Sequence, residues 1–175
     1  DLFRTDLGYF CEFRRKLYSG EGFAITSNLG NGMPILADPQ SQVFYPVRWF
    51  LALWPVNLAN SVGIAFHMVL LAIGTARLAR TFRLRGESAF TAAILVCLAG
   101  TTLDLFRHAN YLIGFSWIPF GWACVREIQS TRISAMNVLG LGLSIAAMGL
   151  AGDPQSILHC GIIFGVEAIA SGIQL

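Results

Sequence analysis

Five apolar stretches of this chain are candidates to cross a lipid bilayer, and no other feature constrains its fold so strongly. A spanning helix needs about 20 mostly apolar residues, within a range of about 17 to 25. The first stretch runs over 58–76, "LANSVGIAFHMVLLAIGTA", and the others over 88–106, 110–125, 134–151 and 156–175. The third is short and carries Pro119, which predicts a kink or tilt. Ahead of them, "VFYPVRWFLALWPV" is too short to cross alone. It reads as a re-entrant or interfacial helix with Trp49 and Trp54 at headgroup depth. Composition agrees: 13% of residues are charged, against about 25% in soluble domains. A net charge of only +2 is no signature of nucleic-acid binding. Asp1 is not an initiator methionine and "EAIASGIQL" stops inside an apolar run, so the expectation is a piece of a longer protein. The expected fold is an all-α polytopic membrane protein of about five transmembrane helices. Residues 1–57 would form a first extracytoplasmic loop with amphipathic and re-entrant helices, and 58–175 an incomplete transmembrane bundle that continues further.

The arginines sort the two faces. "RLARTFRLRGE" places Arg77, Arg80, Arg83 and Arg85 in one connection, and "REIQSTR" places Arg126 and Arg132 in another. Both follow odd-numbered spans, so both fall on one face, which the positive-inside rule makes cytoplasmic. Arg4, Arg14, Arg15 and Lys16 then lie outside, well ahead of the first span. Every aspartate (Asp1, Asp6, Asp38, Asp104 and Asp153) falls on the outer face, so polar chemistry is expected there.

Two of those aspartates open the same tetrapeptide, in "ADPQSQVFYP" (37–46) and in "AGDPQSILHC" (151–160). Asp-Pro is a helix start: Asp at N-cap accepts from the orphan amides of the first turn, and Pro at N1 loses no bond. Asp38-Pro39 should therefore begin the re-entrant helix and Asp153-Pro154 the fifth span. Capping accounts for both Asp-Pro pairs but not for Gln40 and Gln155. Two helix N-termini facing one aqueous pocket would favour phosphate, with the glutamines as ligand contacts. Capping alone and capping plus ligand contact both stand at this point.

Elsewhere on the outer face, Phe3, Leu7, Phe10, Phe13 and Leu17 recur at helical spacing, which predicts an amphipathic helix on the membrane surface. "SNLGNGMP" is a turn-rich loop without the Lys-Ser/Thr ending of a phosphate loop. "LDLFRHANY" gathers Asp104, Arg107, His108 and Asn110. It is either a polar cap with Arg107 on lipid headgroups, or a binding turn in which Arg107 holds a phosphate and His108 or Asn110 a hydroxyl. His67, His159 and Glu167 lie within spans, where ionisable groups usually face a polar interior; a neutral histidine bonding a neighbouring helix is equally consistent. The four cysteines show no metal spacing, and no disulfide is expected.

"DLGYF", "SGE", the block "NLGNGMPILADPQSQVFYP" (28–46), a span carrying His67, the turn with His108 and Asn110, and the Ala151–Gln155 turn follow one another in an order that resembles YfhO-type bacterial membrane proteins. That family is similar to the GT-C superfamily of polytopic glycosyltransferases. The resemblance implies a multi-pass protein of the bacterial inner membrane. It would transfer a sugar from a polyprenyl-phosphate-linked donor to a glycan, lipid or protein acceptor at the outer surface. It implies an Asp of the first outer loop as general base: Asp6 matches best, with Asp38 and Asp1 the alternatives. Arg107, then Arg48, would stabilise the departing phosphate, and Gln40, His108, Asn110, Asp153, Gln155 and His159 would complete the substrate contacts. The acidic outer face offers oxygen donors for Mg²⁺ or Mn²⁺, although no spacing requires a metal. A transporter or lipid flippase, the alternative, would spread polar residues through several spans to form a path.

Overall fold

The computed structural model describes residues 6–30, 32–130 and 134–172, with side chains for 7–30, 32–130 and 134–170. Among the described residues eight α-helices follow in order: α1 (Asp6–Ser19), α2 (Pro46–Leu51), α3 (Val56–Thr81), α4 (Gly86–Leu98), α5 (Gly100–Asp104), α6 (Ala109–Ser130), α7 (Ala135–Leu150) and α8 (Pro154–Gly172). No strand occurs among the described residues; one isolated antiparallel bridge, Thr26 to Met33, closes the glycine-rich loop. The all-α expectation holds.

The bundle is built around α6, which packs against α3, α7 and α8. On α3 the buried residues are Ala59, Gly63, His67, Leu71, Gly74, Thr75 and Ala79, a stripe recurring about every fourth residue. Most are small, and small residues let helix backbones approach closely without needing a hydrophobic drive. A Cβ on Gly74 would stand 3.1 Å from the Phe120 amide nitrogen of α6, and one on Gly140 of α7 would stand 2.9 Å from Cys124 Sγ. α6 runs unbroken through Pro119, which is buried. Two ion pairs tie one end of the bundle together. Arg77 of α3 bonds Glu127 of α6 at 2.7 Å and Asn137 of α7 at 3.0 Å. Arg126 of α6 pairs with Glu167 of α8, which also accepts from Trp122 Nε1 at 3.3 Å. Glu167 thus finds its partner within the described chain.

The outward faces are apolar. Phe66, Val69 and Ile73 of α3, Phe90 and Leu95 of α4, Leu139 and Leu143 of α7, and Ile162, Val166 and Ile169 of α8 are all exposed. Among the described helices, α3 alone is long and apolar enough to cross a membrane, with a mean hydropathy of 1.8 over its best window. α4 and the turn after it qualify together, across a 43° bend at the Ala99–Gly100 break. α7 and the segment Pro154–Ala170 of α8 are apolar but shorter. Of the five expected spans, one therefore meets the length and hydropathy criterion outright and a second meets it as a bent pair.

The first fifty residues depart from expectation in two ways. α1 is amphipathic, but Phe10 and Phe13 are buried in a protein core with Ile35, Val43, Ala52 and Ala59 rather than laid on the bilayer. An apolar stripe covers whichever apolar surface is nearest, and the rest of the loop supplies one. The polar side of α1 clamps the loop. The Glu12 carboxylate takes Arg15, Thr26 and Asn28, and Lys16 Nζ donates to the carbonyls of Gly22 and Ile25 at 2.9 and 2.8 Å. The Arg15 guanidinium, helped by Thr26 and Asn28 and opposed by burial, holds the Glu12 carboxyl at about 2. Secondly, the expected re-entrant helix is only the six residues of α2. Asp38-Pro39 begins a separate 3-10 turn, Pro39–Ser41, because Gln42 takes a left-handed backbone (φ 54°) that stops it.

Candidate functional site

Where α1, the 39–48 segment, α3 and the start of α6 meet, they enclose a cavity of about 60 Å³. Its polar lining is Gln42, Tyr45, Arg48, Asn60 and His67, set against apolar residues that include Leu7, Phe10 and Leu112. Burying an arginine costs heavily unless its hydrogens are satisfied, so the way Arg48 is held defines the site. Pro46 pre-sets the first turn of α2, and Arg48 follows two residues later. Arg48 Nη1 donates to Gln42 Oε1 at 2.6 Å, and the guanidinium lies 5.2 and 5.8 Å from the ring centres of Phe10 and Phe13. Gln42 Nε2 in turn donates to the Ala151 carbonyl, 109 residues away, at 2.9 Å. The bend that stops the 3-10 turn thus delivers the side chain that orients Arg48.

Beside it, three rings form a hydrogen-bonded chain. His67 Nδ1 lies 2.7 Å from the Gly63 carbonyl, which can only accept, so that nitrogen carries the proton. In the neutral ring, Nε2 accepts from the Tyr45 hydroxyl at 2.7 Å, and the Tyr45 oxygen accepts from Trp117 Nε1 at 3.1 Å. Burial pushes the Tyr45 phenol up to about 12. His67 has both nitrogens engaged, one on its own helix and one on Tyr45, and fixes the segment ahead of α2 to α3.

The first Asp-Pro-Gln-Ser tetrapeptide packs on the turn that leads into the second. Asp38 accepts from the Gln40 amide at 2.9 Å and from the Tyr9 hydroxyl at 2.5 Å. Asp153, almost fully buried, accepts from the amides of Gln155 and Ser156 at 3.0 and 3.2 Å and from the Ser156 hydroxyl. The Pro39 carbonyl packs directly on Gly152. Both aspartates are therefore committed as caps. Only Asp153-Pro154 starts a long helix, so the motifs do not present two helix N-termini to a common pocket.

The remaining expected site residues separate into groups. Asp6 is the first residue of α1 and its side chain lies outside the described set, as does Asp1 entirely; Leu7, the next residue, lines the cavity. Arg107 is 78% exposed and pairs with Asp104 at 3.4 Å, away from the cavity lining. His108 is exposed with its ring 5.4 Å from that of Tyr111, and Asn110 is buried in the first turn of α6. The side chains of Gln40, Gln155 and His159 are exposed. Of the expected substrate contacts only Arg48 reaches the cavity. Gln42 and Tyr45 were not anticipated; Gln42 stands two residues after the glutamine that the repeated motif drew attention to. Among the described residues no three His, Cys, Asp or Glu side chains converge to hold a metal ion.

Comparison of the chain with protein-family models, with curated proteins and with solved structures finds no match in any of the three.

Proposed function

We propose that this chain is part of a multi-pass bacterial inner-membrane glycosyltransferase of the GT-C type, acting at the outer surface on a polyprenyl-phosphate-linked sugar. The observation that carries the reading is the buried Arg48 on the wall of a cavity that also receives Leu7, the neighbour of Asp6. In a water-excluded site a fixed guanidinium stabilises a developing phosphate charge far better than an exposed one such as Arg107. The acceptor hydroxyl loses its proton to the Asp6 carboxylate while its oxygen bonds to the anomeric carbon. The bond from that carbon to the lipid phosphate breaks, and the phosphate leaves with the electron pair toward Arg48.

The membrane part of the proposal is supported by the apolar side chains exposed on α3, α4, α7 and α8. Water-soluble monomers rarely expose so much contiguous apolar surface. Five spans, with residues 1–57 outside, is the arrangement we infer.

The test is sugar transfer from a polyprenyl-phosphate donor by the full-length protein in membranes, comparing wild type with Asp6→Asn and Arg48→Gln at equal abundance. Transfer that collapses in both variants supports the assignment. Transfer that survives Asp6→Asn moves the base to Asp38 or Asp1. Absence of transfer with every donor overturns the enzyme and leaves the transporter or flippase.

A further inference from the structure

At the opposite end of α3 from the cavity, three arginines stand out because none pairs with a carboxylate among the described residues. Arg77 and Arg126 are engaged with Glu127 and Glu167. Arg80, Arg83 and Arg85 are exposed, and none has a carboxylate partner among the described residues. The backbone that carries them is specific. Phe82 and Leu84 donate to the Ala79 carbonyl at 3.1 and 3.3 Å, and Arg83 donates to Arg80 at 2.9 Å, which is a Schellman helix end. Arg83 occupies its left-handed position, φ 62°, where glycine is the residue that fits without strain. Favourable charge at the helix C-terminus is already supplied by Arg80 in the last turn, so capping does not account for an arginine there. Phe82 and Leu84 alternate with the arginines and are nearly half exposed, at 47% and 46%. The Phe82 ring is held in place by the Arg126 guanidinium, 3.8 Å from its centre, and by the edge of Trp122.

We propose that the α3–α4 turn is a binding site for anionic phospholipid, with Arg80, Arg83 and Arg85 on the headgroup phosphate and Phe82 and Leu84 at the acyl boundary. Guanidinium forks match phosphate oxygens, and juxtamembrane arginines draw anionic lipid. The inference rests on α3 crossing the bilayer and is independent of sugar transfer.

The test is native mass spectrometry of the full-length protein in neutral detergent, equilibrated with equal amounts of phosphatidylglycerol and phosphatidylcholine. Wild type should retain phosphatidylglycerol preferentially. Arg83→Gly should cut that preference about fivefold and the triple Arg80→Gln, Arg83→Gln, Arg85→Gln variant about a hundredfold, on the usual strength of one such contact. Arg83→Gly should also unfold at the same temperature as wild type or higher, because glycine suits the backbone there. Equal retention of the two lipids, or an unchanged preference in Arg83→Gly, would overturn the proposal. Displacement of the lipid by millimolar inorganic phosphate would overturn it in favour of a free-phosphate site. Release of the protein from membranes by alkaline extraction would remove its premise. Loss of sugar transfer would leave the lipid preference untouched, so the two proposals fail separately.

Discussion

The carbonyl oxygen of Pro39 lies 2.2 Å from where a Cβ on Gly152 would stand. No side chain fits that gap, and the contact joins the first Asp-Pro-Gln-Ser tetrapeptide to the residue just ahead of the second, more than a hundred positions away. Each copy caps itself through its own aspartate, and Gln42 then bonds the Ala151 carbonyl beside the contact. The segment ahead of α3 is thereby seated on the α7–α8 turn, and the cavity wall inherits its geometry from that seat.

Gly152→Ala should destabilise the protein by about 2–4 kcal/mol, since it adds a steric collision with backbone to a strained φ of +75°. Gly20→Ala, at φ +70° with open space around it, should cost only about 1 kcal/mol. Denaturant midpoints in detergent would read the difference. Equal losses would mean that the Pro39 contact contributes nothing.

Gln42→Ala removes the acceptor for Arg48 Nη1 and the donor to Ala151. It should cost about 2–3 kcal/mol, the scale set by stranding buried polar groups. If Arg48 binds the donor phosphate, the same variant should raise the apparent KM for donor more than it lowers kcat. An unchanged KM would separate Gln42 from substrate binding.

Tyr45→Phe strands His67 Nε2 and Trp117 Nε1 with a void the size of one hydroxyl. A loss of about 1–3 kcal/mol follows from orphaning the buried His67 Nε2 and the partly buried Trp117 Nε1. Thermal unfolding followed by tryptophan fluorescence reports it. A variant as stable as wild type would show that water replaces the hydroxyl.

The Glu12 carboxyl sits at about 2 rather than its ordinary 4.5. Its folded value lies below its unfolded one, so the ionised group contributes its full stability above about pH 4.5, and that share is lost as pH falls through about 2. The stability difference between wild type and Glu12→Gln should therefore be constant near neutral pH and shrink across that window. Glu21 is also held at about 2 by Arg15, but it is exposed and solvent screens its share. A difference that stays constant down to pH 2 would show that Glu12 is not held low.

The sequence by itself determined that the chain is helical and where α8 begins, because hydropathy and the Asp153-Pro154 cap act within a few residues of where they are written. It also marked Arg48 and the His67 span, since a charge or an imidazole among apolar neighbours must find a polar partner. What only the tertiary structure decided was which partner each one found. α1 buries Phe13 in protein instead of lipid, an outcome a helical stripe cannot specify because either surface is equally apolar. Gln40 and Gln42 differ by two positions, and a left-handed bend turned the second inward. Asp38 and Asp153 read alike in the sequence, yet only the second opens a long helix. These choices depend on contacts between segments far apart in the chain, such as Pro39 on Gly152, and no local pattern encodes a contact with a residue more than a hundred positions away.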